Sequence, residues 1–258
     1  MITFTVITCT WQASAVIERT LKSVLQQTYA HVEHIIIDGG STDGTVDAVH
    51  RYMERNDRLH LLHQIVLLSE HDGGLYDAMN KGLRMATGNY VVFMNAGDTF
   101  HSSDTLEHVS GSVGDGERLP GVLYGDTDIV GDDGHFIRRR RLAPPRHLTW
   151  RSFLGGMKVC HQSFYALTTI ARDIPYNTDF RFSADIDWCI RVMRQCRRQR
   201  LRLKNVGCTL TDYLAGGMTA DNHNASLKER FSVMRRHYGL LPTLAAHAWV
   251  VVRAVLKK

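Results

Sequence analysis

Three acidic residues stand where strand-like runs give way to loops. Asp38 closes the run His34 to Ile37, and Asp72 lies in the loop SEHDGGLYDAMNKG. Asp98 follows the apolar run Tyr90, Val91, Val92, Phe93, Met94. A charge beside a buried strand is costly unless it is hydrated, hydrogen-bonded or paired with a cation. Mg2+ and Mn2+ take oxygen ligands, and Mg2+ commonly combines one or two carboxylates with substrate phosphate oxygens. Asp98 is therefore placed to hold a divalent ion against a diphosphate. The sequence contains neither G-x-G-x-x-G after the first strand nor G-x-x-x-x-G-K-[ST], so phosphates are not held by either glycine-rich cradle.

Such a set needs elements that bring its members together. Phe4 to Thr8 reads as a first strand. Ala13 to Thr28 carries Ile17, Leu21, Val24 and Leu25 at helical spacing. His34 to Ile37 is a second strand, and Val46, Val49 and Met53 mark another helix. Leu59 to Leu68 contains strand-like material, Leu75 to Met85 is helical, and Tyr90 to Met94 is the next strand. Strands alternating with helices predict an α/β fold with a mainly parallel sheet and right-handed crossovers. Ligands of such sheets bind outside the carboxyl ends of the strands, where all three acids would lie. One strand-end acid is common by chance; three at one edge point to a site. After about residue 120, VLYGDTDIVGDDGHFIRRRR predicts two strands around the turn Gly131 to Gly134. Helices are expected over Asp185 to Arg198 and over 225–258, interrupted near Gly239 and Pro242.

With 258 residues and 44% hydrophobic content, the chain can bury the core of one large domain, or of a domain with an appendage. Five cysteines without a CxxC pair predict free thiols in a reducing compartment. Cys189 and Cys196, seven apart in a helix, read as packing residues. The start MITFTVITCTW lacks a basic region followed by a long apolar stretch, so no signal peptide is expected. No run of about 18 apolar residues predicts a membrane span. A net charge of +5 favours anionic partners without choosing among them.

The motifs TVITCTW, IIIDGGSTDGT and SEHDGGLYDAMNKGLRMATGNYVVFMNAGD, followed by CHQSFY, FSADIDWCIR and YLAGGMTAD, resemble family 2 glycosyltransferases of the GT-A fold. The likeness is to those that build bacterial exopolysaccharide, capsule or O-antigen, and it covers roughly residues 3–220. It implies a Rossmann-like central sheet with helices on both faces, a smaller acceptor-side sheet and C-terminal helices. It also implies a catalytic domain at 1–220, with a nucleotide-sugar half at 1–98 and an acceptor half at 99–220, and a helical extension at 221–258.

The resemblance assigns Thr8, Asp38 and Asp72 to the nucleotide, with Asp77 and Lys81 nearby; four apart on a helix, these two also fit a surface ion pair. The family's Asp-x-Asp appears as Ala96-Gly97-Asp98, with the first acid missing and the direct ligand of Mg2+ or Mn2+ kept. His161 is a candidate for the metal shell or for positioning the acceptor. The other histidine pairs, His31/His34 and His60/His63, read as surface or packing residues. Inverting transfer needs a carboxylate that takes the acceptor's proton. Asp185 matches the family position, and Asp187, about 200° round the helix, competes with it. Asp185 also suits a helix N-terminus electrostatically. Gly216 and Gly217 suit a segment closing over the diphosphate, with Thr219 at its end; a plain turn is the alternative.

The implied reaction moves a sugar from a nucleoside-diphosphate donor, by family habit a UDP-sugar, to a hydroxyl of a glycan or polyprenyl-diphosphate-linked saccharide. The implied location is the cytoplasm, with contact at the inner face of the membrane. Residues 240–258 are too short and charged to span a bilayer; they suit a membrane surface or a second subunit equally. Two other readings predict different sequence features. A nucleotidyltransferase would show a basic glycine-rich loop after the first strand, where TCTWQASA stands. A nucleic-acid-binding protein would use the run Arg138 to Arg141, which otherwise reads as a solvated face; no nucleic acid is expected as a partner.

Overall fold

The structure, a computed structural model, describes residues 1–114, 118–216 and 223–255, with the side chains at 223, 224 and 250–255 excepted. Among the described residues nine strands form one sheet: β1 Phe4–Thr10, β2 Val32–Asp38, β3 Gln64–Ser69, β4 Tyr90–Phe93, β5 Thr99–Phe100, β6 Val122–Val130, β7 Phe136–Arg139, β8 Phe164–Leu167 and β9 Leu203–Leu214. The order is β3-β2-β1-β4-β8-β6-β9-β5, with β7 paired to β6. The first four run parallel, and the expected hairpin of β6 and β7 forms around Gly131–Gly134. The expected smaller second sheet is not separate: the strands after residue 120 continue the same sheet, through antiparallel β4–β8 and β8–β6 pairs and a parallel β6–β9 pair.

Helices cover both faces: α1 Ile17–Leu25, α2 Thr45–Arg58, α3 Leu75–Met85, α4 Thr105–Ser112, α5 Thr168–Ala171, α6 Ala184–Arg198, α7 His223–Tyr238 and α8 Leu240–Val255. The expected stripe Ile17, Leu21, Val24 and Leu25 is the buried face of α1. Every residue of β1, β2 and β4 is buried, as parallel strands covered on both sides require. On the other face α3 lies close to β1, because a Cβ at Gly82 would stand 2.5 Å from Ile7 Cγ2.

Helix α6 is held under β4 by Trp188, whose ring stacks on Tyr176 at 4.9 Å and meets Phe93 edge-on at 5.6 Å. Asp185 lies one turn before Trp188 on the same helix face, so this packing carries Asp185 to the end of β4. The break between α7 and α8 falls at Gly239, whose φ of 86° is left-handed. Val233 and Met234 of α7 are fully or almost fully buried, Val233 in the same core as Trp188. Four of the five free cysteines are buried, including Cys189 and Cys196. Among the described residues no helix is long and apolar enough to cross a membrane.

Candidate active site

The order β3-β2-β1-β4 places a topological switch between β1 and β4, and the carboxyl ends of these strands form one edge. Asp38, Asp72 and Asp98 all lie along it. Asp38 ends β2 and Asp98 follows β4, two strand positions away in the sheet.

Asp38 is fully buried and internally bonded. Its Oδ2 accepts from the backbone of Gly40 and Ser41 at 3.1 and 2.9 Å and from Ser69 Oγ at 2.7 Å; its Oδ1 accepts from Ser41 Oγ at 2.5 Å. It therefore shapes the loop after β2 and joins it to β3. Thr8 is likewise fully buried. Strand β1 runs two residues past it, and its hydroxyl is fully buried, donating to Met94 O at 2.8 Å and bonded to His34 Nε2 at 2.9 Å. That side chain faces the interior and cannot reach a ligand. His34 is a packing residue, as expected; burial pushes its pKa down to about 3.

The residue that does reach outward from β1 is Trp11, 67% exposed, which sequence reading passed over. A Cβ at Gly39 would stand 2.9 Å from Asp72 Oδ2 and 3.3 Å from Trp11 Cδ1. The glycine thus lets an aromatic face and a half-buried carboxylate meet at the β1–β2 mouth. Its signal in the sequence was an aromatic directly after a strand. Asp72 also accepts from Gly74 N at 2.8 Å, holding the turn into α3. The expected Asp77–Lys81 pair does not form. Asp77 accepts from Gly73 N at 3.0 Å, while Lys81 binds Glu70 at 2.8 Å and His71 O at 2.9 Å.

At the end of β4, Asp98 is 4% exposed. Its Oδ1 accepts from Leu214 N at 3.0 Å and its Oδ2 from Gln162 Nε2 at 2.8 Å. Burial pushes its pKa up to about 6, against the pull of these two bonds and of the nearby His161 and Arg19. Two donors are few for a buried carboxylate. The same turn holds an unmet acceptor, the buried Asn95 Oδ1, which has no hydrogen-bond partner. An oxygen-seeking divalent ion fits these two neighbouring oxygen acceptors. Asn95 stands one residue outside the Asp-x-Asp register, so the motif alone does not point to it. The turn is fixed by Thr20 of α1, whose hydroxyl donates to Asp98 O at 2.7 Å and accepts from Gly97 N at 2.9 Å.

A chain of polar groups leads from this turn to α6. Asn95 Nδ2 approaches His161 Nε2 at 3.4 Å, and His161 Nδ1 faces Asp185 Oδ2 at 3.5 Å. With the Asn95 amide nitrogen donating to Nε2, the neutral ring carries its proton on Nδ1, toward the carboxylate. Asp187 points elsewhere. It is 1% exposed and bonded to Arg191 Nε at 2.6 Å and His237 Nε2 at 2.7 Å. Burial pushes its pKa up, but the bond from His237 and the charge of Arg191 outweigh this and hold it below the usual range. Geometry thus separates the two acids of FSADIDWCIR: Asp185 faces the strand ends and Asp187 ties α6 to α7. Asp185 keeps a partly open carboxylate, its side chain 19% exposed.

Glu229 of α7 supports the start of α6 by accepting from the backbone of Arg181, Phe182 and Ser183 at 2.8, 2.7 and 3.1 Å. Nothing in the sequence pairs residues 48 apart, so this contact was not legible there. Gly216 is exposed at φ 100°, just past β9. Gly217 and Thr219 lie outside the described residues.

The family model described as glycosyl transferase family 2 matches residues 5–171. A PGL/p-HBAD biosynthesis glycosyltransferase of Mycobacterium tuberculosis (strain ATCC 25177 / H37Ra) is 32% identical over 189 residues, covering 73% of this chain and 68% of the relative. The putative teichuronic acid biosynthesis glycosyltransferase TuaG of Bacillus subtilis is 41% identical over 102 residues, covering 40% of this chain and 38% of TuaG. Among solved structures, S. aureus TarS 1-349 in complex with UDP-GlcNAc superposes with a TM-score of 0.68 at 19% identity. It covers 90% of this chain, which spans 64% of that fragment. The mannosyltransferase PcManGT from Pyrobaculum calidifontis, in complex with GDP-Man and Mn2+, has a TM-score of 0.62 at 21% identity, covering 95% of this chain and 69% of its own. These likenesses show the shared GT-A fold.

Proposed function

From the membership of this chain in glycosyl transferase family 2, we infer that it moves one sugar from a nucleoside-diphosphate donor to a hydroxyl of a glycan or lipid-linked saccharide, with inversion. The observation that carries the mechanism is the orientation of Asp185, which faces His161 and the end of β4 while Asp187 is locked to α7.

The donor's nucleotide would lie along the β1–β2 mouth. Trp11 offers a ring face to the base, and Asp72 a carboxylate acceptor beside it. UDP is the nucleotide we favour; TarS is solved with UDP-GlcNAc and PcManGT with GDP-Man. The diphosphate then points along the edge toward Asp98. A divalent ion there would be held by Asp98 and Asn95 Oδ1, and when bound it would offset charge on the departing diphosphate. Mg2+ or Mn2+ suits this oxygen set, and PcManGT was solved with Mn2+.

Asp185 takes the proton from the acceptor hydroxyl as its oxygen bonds to the anomeric carbon and the bond to the diphosphate oxygen breaks on the opposite face. General-base catalysis of this kind is worth about 10²–10⁴-fold. His161 holds the Asp185 carboxylate in line and relays its position to Asn95. The relatives' names place them in p-HBAD and teichuronic acid biosynthesis, which supports a role for this chain in assembling a cell-surface glycan. Contact of α8 with a membrane surface remains part of this reading, supported by exposed Leu240, Leu241, Leu244 and Trp249.

The test is slow donor hydrolysis. Nucleotide-sugars are incubated with Mn2+ or Mg2+, and nucleoside diphosphate release is followed. Release from one donor is expected, falling by orders of magnitude in Asp98→Ala and stopping with chelator. Undiminished turnover in that variant removes Asp98 from the mechanism.

A further inference from the structure

A second group of potential ligands lies away from the β4 turn. His101 Nδ1 stands 2.8 Å from Asp212 Oδ1, and Asp128 adds a ligand atom so that all three lie within 4.8 Å of one another. His101 follows β5, Asp128 is on β6 and Asp212 on β9. Asp128 and Asp212 are direct neighbours in the parallel β6–β9 ladder. Like charges side by side on adjacent strands are destabilising. The His101–Asp212 pair accounts for one of them. Asp128 is 8% exposed, its Oδ1 is buried with no hydrogen-bond partner, and Arg139, its neighbour across β7, forms no ion pair with it among the described contacts.

The strands are built to bring these acids together. The β6–β9 register shifts between Tyr124 and Thr127, where a Cβ at Gly125 would stand 2.5 Å from Cys208 O. Beyond this irregularity Thr127 bonds Ser163 Oγ at 2.7 Å and Thr211 donates to Gln162 O at 2.8 Å. Alternation then turns Asp128 and Asp212 to the opposite face from Gln162, the partner of Asp98.

We propose that His101, Asp128 and Asp212 form a divalent-cation site separate from Asp98, tying β5 to β6 and β9. One imidazole nitrogen and two carboxylates suit Zn2+ or Mn2+, whereas Ca2+ and Mg2+ favour all-oxygen sets. The ion bridges two neighbouring carboxylates and supplies the partner that Asp128 Oδ1 lacks. It also fixes the strand that begins at Thr99, directly after Asp98, so it braces the turn without touching the donor.

The experiment uses the full chain without nucleotide, so its outcome is independent of the transfer reaction. Binding of ZnCl2 and of MnCl2 is measured by calorimetry, with the thermal midpoint recorded beside it. Without nucleotide the Asp98 turn lacks the diphosphate oxygens that would complete its ion's shell, so wild type is expected to bind one ion, at this second site, and to melt higher with it. Asp128→Asn and His101→Ala should each weaken binding about tenfold or more, whereas Asp98→Asn should leave it intact. Without metal, Asp128→Asn should melt no lower than wild type, because it removes a buried unpaired charge. Should that variant fail to fold, the more exposed His101→Ala decides. Absence of binding by either ion, unchanged binding in both ligand variants, or loss of binding in Asp98→Asn overturns the proposal.

Discussion

His161 Nδ1 faces Asp185 Oδ2 at 3.5 Å, and the same ring is met from the other side by Asn95 at the end of β4. This pair connects the helix carrying the proposed base to the strand end where the diphosphate would lie. Asp185→Asn should keep donor binding and lower the transfer rate about 10²–10⁴-fold. Calorimetry with donor and single-turnover transfer together check this. Full transfer activity would move the base role elsewhere.

Asp187 should behave in the opposite way. Replacing it with Ala leaves Arg191 and His237 without their buried partner, a change that typically costs about 3–5 kcal/mol. Urea unfolding should show the loss, while the transfer rate per folded molecule changes far less than in Asp185→Asn.

The two buried acids give stability opposite pH dependences. The folded pKa of Asp98 stands near 6, above its usual 3.8. Between pH 6 and 4 the folded state therefore takes up a proton that the unfolded state does not, and stability without metal rises as pH falls through this window. At 1.36 kcal/mol per pKa unit, the full effect is about 3 kcal/mol at most. Asp98→Asn should remove that slope in urea unfolding between pH 4 and 7. Asp187 is held below its usual value, so its contribution is present above about pH 4 and lost as pH falls further.

Trp11 is exposed and supports no core, so its truncation isolates recognition from folding. Base stacking on an aromatic ring is worth about 1–3 kcal/mol. Trp11→Ala should weaken UDP binding roughly tenfold or more, with an unchanged thermal midpoint, and Trp11→Phe should recover most of it. Equal affinity in the Ala variant would place the base elsewhere.

Glu229 accepts three backbone N–H groups directly before α6. Glu229→Ala should lower stability by about 1–3 kcal/mol, since partly buried donors lose a charged acceptor. It should also reduce the transfer rate more than donor affinity, because the start of α6 sets where Asp185 points. Steady-state kinetics with donor and acceptor varied separately would show this split.

The order of elements up to β4 was legible because local patterns state it. Ile17, Leu21, Val24 and Leu25 repeat at helical spacing, the β4 run is apolar throughout, β2 carries Ile35, Ile36 and Ile37 in succession, and Leu75–Met85 matches its expected bounds. Parallel strands in alternation then put Asp38, Asp72 and Asp98 along one edge without further information. The later strands β8 and β9 were missed: they are short or irregular, and they pair with partners far away in sequence.

What the sequence by itself determined was the fold, the family and the edge at which chemistry can occur, since periodicity and motif order are properties of neighbouring residues. Only the tertiary structure decided which side chain at that edge is free to act. Thr8 and Asp38 carry suitable groups, yet both are committed to internal bonds, whereas Trp11 and Asn95 are left with an open face or an unmet acceptor. Asp185 and Asp187 differ by two positions, and their roles separate because α7 reaches one of them and the β4 turn the other. A buried polar group is satisfied by whatever the fold brings within hydrogen-bond distance, and that distance is not written in the spacing of residues along the chain.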